Sequence, residues 1–147
     1  MVFGASYLKN DLMKKILTFL TIFLMLGGVA SAEYCTEKDD LYKKGTDHLN
    51  SLYEFGLKIQ KAVKDKNLEA IKAMVKFPMN DKKITKSYLD NKTFDQVFSQ
   101  KEIDFILKDK PNCNSVGIYK GYMLGAGTIW YDDINGATII ALNLVKK

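Results

Sequence analysis

The chain has 147 residues, 22 basic and 17 acidic side chains, one histidine and a formal net charge of +5. Every basic residue is a lysine, and the lysines alternate with acids, as in KDKNLEAIK. Nucleic-acid binders instead gather Arg and Lys on one face, so no nucleic-acid partner is expected.

Residues 13–32 read MKKILTFLTIFLMLGGVASA. Lys14 and Lys15 form a positive start, 16–26 an apolar core, and Ala30-Ser-Ala32 a small-residue cleavage motif, the order of a secretory signal peptide. The apolar core falls short of the ~20 residues of a spanning helix. The expectation is cleavage after Ala32, a periplasmic or secreted product and no stable membrane insertion after cleavage. Residues 1–12 carry no targeting logic, and Met13 followed by two lysines reads as an alternative start. The domain division is thus a signal peptide over 1–32 and one small domain over 33–147. Cys35 and Cys113 both fall in the second part, and an even count in an exported chain predicts that they pair.

Apolar residues Leu49, Leu52, Phe55, Ile59 and Val63 recur at helical spacing and predict a long amphipathic helix over 46–63. Asn67 reads as the N-cap of a second, shorter helix carrying Leu68, Ile71, Met74 and Val75, stopped by Pro78. The segment FPMNDKKIT reads as two short extended pieces around an Asn80-Asp81 turn. Two capping boxes, Thr93-x-x-Gln96 and Ser99-x-x-Glu102, mark helices near 94–98 and 102–109, with Ile103, Ile106 and Leu107 facing inward. The remainder is strand-like: VGIYKGYML, TIWYDD, a turn at Ile134-Asn-Gly136, and ATIIALNLV. Helices first and an antiparallel meander last predict an α+β domain.

The stretch GYMLGAGTIWYDD places Gly121, Gly125 and Gly127 near the single tryptophan. It lacks the GxGxxG and GxxxxGK[ST] orders of nucleotide loops, and the following Thr-Ile-Trp-Tyr favours a strand. The glycines are therefore read as sheet-bending positions inside a strand. On that reading Tyr122 and Trp130 share one face, with Met123, Gly125 and Gly127 on the other.

A search for chemistry yields no catalytic, cofactor-binding or metal-binding residue. His48, beside Asp47, has no second ligand at metal spacing and reads as a helix surface residue. Adjacent Asp132 and Asp133 point to opposite faces and read as turn residues. Aromatics are abundant: Tyr53, Phe77, Phe98, Tyr122 and Trp130, with Met123, are the candidates for a pocket or exposed patch, others such as Phe55, Phe94, Tyr119 and Tyr131 serving the core.

The Phe77-Pro78 pair followed by a basic turn and Lys83-Ile-Thr, a Phe-rich helix, the run GxMxGxGxIWY from Gly121 to Tyr131, and the closing ATIIALN together carry a resemblance. Over about 47–145 the chain resembles small exported bacterial members of the nuclear transport factor 2-like superfamily. The resemblance implies a cystatin-like cone, with N-terminal helices packed on a strongly curved antiparallel sheet and a cavity at the open end. Members include enzymes such as ketosteroid isomerase and scytalone dehydratase, and non-catalytic binding or dimerising domains; fold alone does not choose among them. No catalytic position of those enzymes is matched by motif. Two readings stay open. One is an exported, non-enzymatic binding or interaction domain for a small apolar ligand or an envelope protein, with a homodimer as a further use of an exposed face. The other is a small lyase or isomerase using a buried Asp or Tyr.

Overall fold

The computed structural model describes residues 34–79, 82–117, 121–133 and 136–145. The segment expected to be a signal peptide, the expected Asn80-Asp81 turn, Tyr119 and Asn135 lie outside these residues. After a 3-10 turn at Glu37–Asp39 come five helices: α1 (Thr46–Lys64), α2 (Leu68–Met74), α3 (Lys86–Asp90), α4 (Phe94–Val97) and α5 (Gln100–Lys108). Three strands follow, β1 (Tyr122–Leu124), β2 (Ile129–Asp132) and β3 (Thr138–Leu142), paired in that order as an antiparallel meander. The domain is α+β.

The long helix α1 forms where its apolar period predicts, burying Leu49, Leu52, Ile59 and Val63. Phe55 is only half-buried and lies beside Tyr131, while Tyr53 and Gly56 join the buried stripe. Gly56 is required by space: a Cβ there would stand 2.8 Å from the Tyr131 hydroxyl and 2.8 Å from Pro111. The Asn67 side chain accepts from the Ala70 N–H at 2.9 Å, the expected N-cap of α2. Ser99 and Glu102 cap α5 reciprocally, and the expected box of Thr93 and Gln96 stands at α4, where the Gln96 amide oxygen receives the Thr93 N–H at 2.9 Å.

Three expectations change. FPMNDKKIT supplies no strand among its described residues. The chain instead makes one parallel bridge just before it, Val75 to Ile139, with the Lys76 N–H donating to the Ile139 carbonyl. Helix α3 was not foreseen, because KSYLD offers one buried residue, Leu89, and a single cap, Thr85. Leu107 is 40% exposed rather than inward. In a nine-residue helix whose buried side carries Glu102, Ile103 and Ile106, position 107 falls off the core-facing stripe.

Each strand buries one face. Tyr122 pairs with Tyr131 and Leu124 with Ile129, and all four are buried. Between Trp130 and Tyr131 the register to β3 slips: Trp130 faces Ala141, but Tyr131 faces Ile139, so Ile140 is an extra residue on β3. Such a bulge bends its strand and raises local twist. It also returns Leu142 to the inner face opposite Ile129. The main core joins this face to α1, α2, α4 and α5 through residues such as Leu52, Ile71, Phe98 and Ile106.

A smaller cluster of Cys35, Leu49 and Tyr53 lies beside it. Cys35 and Cys113 form the expected disulfide across 78 positions of sequence. The Asn50 side chain receives the N–H groups of Tyr34 and Cys35, and the Tyr34 ring stacks on Tyr53 at 4.5 Å. The start of the described chain is thereby fixed to α1.

Candidate binding groove

The glycines near the tryptophan neither cradle a phosphate nor bend a continuous strand. Leu124 pairs with Ile129, so residues 125–128 are the reversal between β1 and β2. Gly125, Ala126 and Gly127 all have positive φ, at 64°, 54° and 88°. Two glycines make this inexpensive, while Ala126 adopts a conformation that non-glycine residues seldom occupy. The Thr128 hydroxyl closes the turn on the Gly125 carbonyl at 2.7 Å, and the Asn143 side chain donates to the Gly127 carbonyl at 2.9 Å.

The turn sits directly on α5. A Cβ at Gly125 would approach Ile106 Cγ1 to 2.6 Å and the Ile106 backbone to 3.2 Å. The Gly125 N–H donates to Asp109 at 2.8 Å, and Gln60 of α1 closes the end of the same helix by donating to the Ile106 and Asp109 carbonyls. Gly121 serves close approach of a different kind, since a Cβ there would lie 2.6 Å from the Tyr131 carbonyl oxygen.

Because the four-residue turn resets the alternation, the expected pairing of faces is corrected. Met123, not Tyr122, lies opposite Trp130, and Ala141 completes that outer row. Met123 and Trp130, together with Phe105 of α5, Ala126, Gly127 and Val145, line an open cavity of about 410 Å³. That size is within the range of ligand sites, which are mostly apolar with a few polar groups. Phe105 is 45% exposed, and the Lys101 ammonium lies 5.7 Å from its ring centre.

Glu102 also borders this groove, yet it is buried and its oxygens are engaged. One receives the Ser99 N–H and hydroxyl at 2.6 Å each, and the other receives the Val145 N–H at 2.7 Å. It is thus a tie between α5 and the chain after β3 rather than a poised acid or base.

Of the residues singled out from sequence, Met123 and Trp130 meet at the groove. Tyr53, Phe98 and Tyr122 are buried in the two cores, and Phe77 packs half-buried against the larger one. Phe105 and Val145 were missed; the signal for Phe105 was its offset from Ile103 and Ile106 on the helical wheel.

Two phenols stand apart. The Tyr122 and Tyr131 rings stack at 5.6 Å, and neither hydroxyl has a hydrogen-bond partner among the described residues. Burial, then the charges of Asp133 and Asp40, push the Tyr122 phenol up to about 12. Burial pushes Tyr131 up as well. His48 faces the Asp133 carboxylate, which also lies 3.9 Å from Lys44, and the Gly136 N–H returns to the Asp133 carbonyl. Asp133 therefore fixes the β2–β3 connection to the start of α1. Among the described residues no group of three His, Cys, Asp or Glu side chains is placed to hold a metal ion.

Fold and site together define an α+β domain with a small apolar groove at a β-hairpin reversal. In comparisons with known proteins, no family model, no curated protein and no solved structure matches the chain.

Proposed function

We propose that this chain is an exported, non-enzymatic binding domain of the cone-shaped nuclear transport factor 2-like type, and that the groove at the β1–β2 reversal is where it binds. The observation that carries this reading is the convergence of Met123, Trp130 and Phe105, from two strands and a helix, on one open cavity of about 410 Å³. The cross-strand row on the outer sheet face supplies one wall and the exposed side of α5 the other. Export is supported by the leader-like 13–32 segment and by the Cys35–Cys113 bridge, which suits an oxidising compartment. Among the described residues no helix is long and apolar enough to cross a membrane. Support for the cone comes from the order of helices before meander and from the bulge at Ile140, which curls β3.

The enzyme reading draws on the buried Tyr122 and Tyr131 phenols. They belong to the inner face of the sheet, however, and neither lines the groove. The carboxylate that does border it is engaged on both oxygens, which favours binding over proton transfer.

Native mass spectrometry of the chain recovered from the exported fraction of its host tests the reading. A retained small molecule that is lost in Trp130→Ala is expected. A chain recovered only without ligand, together with failure of every apolar probe to alter Trp130 fluorescence, would overturn it.

A further inference from the structure

The groove is unequal in its polar groups, and that inequality names a ligand class. This step rests on the binding reading above. Two of its acceptors are in use: Glu102 receives three donors, and the Gly127 carbonyl receives Asn143. Two of its donors are not. Lys101, which borders the cavity, forms no ion pair among the described residues, and its ammonium rests near the Phe105 ring. The indole N–H of Trp130 likewise has no acceptor among the described residues. A surface of Met, Phe, Trp and Val beside an uncommitted cation and a second free donor is complementary to a molecule with an apolar body and an anionic end.

Size favours a small molecule over a protein. A specific protein interface buries on the order of 1,200 Å² or more, whereas this cavity of about 410 Å³ is concave and ligand-sized. We propose that the groove takes a small free aliphatic carboxylate of the medium-chain fatty-acid type, its chain against Met123, Phe105 and Trp130 and its carboxylate at Lys101.

The single tryptophan reports on the site directly. The purified full chain is titrated with decanoate below its aggregation concentration, with decanol as the uncharged counterpart, and Trp130 emission is followed in the parent and in Lys101→Gln. Circular dichroism verifies that the variant is folded, as expected for a change at an exposed helix position. The expected result is saturable binding of decanoate, with decanol and the variant each roughly tenfold weaker, about the loss of one charge-assisted hydrogen bond. Equal binding of decanoate and decanol, or an unchanged affinity in Lys101→Gln, overturns the carboxylate assignment and leaves the apolar groove standing. If neither compound alters Trp130, the inference is wrong. A parallel titration with the uncharged apolar dye N-phenyl-1-naphthylamine then decides the fate of the binding reading, which survives a saturable response lost in Trp130→Ala and falls without one.

Discussion

Glu102 receives the backbone N–H of Val145 at 2.7 Å, 43 positions away in sequence, with the same carboxylate that caps its own helix at Ser99. One buried side chain therefore starts α5 and anchors the segment after β3. Glu102→Gln keeps the size but replaces one acceptor oxygen with a donor, leaving at least one buried N–H or hydroxyl unmatched. The expected loss is about 1–3 kcal/mol of stability in urea unfolding. Ser99→Ala, which removes only the cap, should cost about 1 kcal/mol. Equal losses in the two variants would mean that the tie to Val145 contributes nothing.

The Cys35–Cys113 bridge closes a long loop, so its effect falls mainly on the unfolded chain. Loop-closure entropy for a separation of 78 gives up to about 4.5 kcal/mol. Cys35→Ser with Cys113→Ser should lower the melting temperature clearly, and reductant should do the same to the parent but not to the double variant.

Glycines in this domain divide by what surrounds them. Gly136 has a φ of 86° and open space around it, so Gly136→Ala carries only the backbone cost of roughly 1–2 kcal/mol. Gly125 has a φ of 64° and Ile106 at 2.6 Å from a would-be Cβ. Gly125→Ala therefore adds overpacking, typically a further 1–3 kcal/mol, and should displace the groove wall. Matched denaturant curves for the two variants measure the difference, and Gly125→Ala should also change Trp130 emission.

Tyr122 and Tyr131 set an alkaline limit. Their folded values lie above the ordinary tyrosine value of 10.0, that of Tyr122 at about 12. Below pH 10 both states keep their protons and the phenols make no pH-dependent contribution. Above pH 10 the unfolded chain releases protons that the folded chain retains, so stability falls as pH rises toward 12. Tyr122→Phe and Tyr131→Phe should each flatten this fall. At neutral pH, removing either unpartnered hydroxyl should be neutral or slightly stabilising. A pH profile of unfolding free energy from 8 to 11 tests both statements.

What could be foretold from sequence was what is local. The period of Leu49, Leu52, Ile59 and Val63 fixes α1 by itself, and Asn67 and Ser99 reach their N–H partners within a single turn. The α+β order and the pairing of the two cysteines follow from equally simple counting. The groove was half legible. Met123 and Trp130 stood out as large residues among glycines, but their sharing of a face depends on a reversal at 125–128. Ala126 in a left-handed conformation leaves no mark in the sequence, so the run reads as continuous strand. Leu107 reads as inward from sequence, yet it and Phe105 both lie on the side of α5 left exposed once Ile103 and Ile106 enter the core. The engagement of Glu102 by Val145 is a distant contact that no local pattern announces.

The supernumerary Ile140 governs more than the shape of β3. It sets the parity of every position downstream, so that Leu142 enters the core and Asn143 reaches the Gly127 carbonyl. Were Ile140 itself to pair with Trp130 in an unbulged strand, the tail would invert, turning an amide inward and a leucine to water, and the Val145 N–H would be carried away from its carboxylate. The spacing of the chain here, as much as its chemistry, decides whether the groove has a second end.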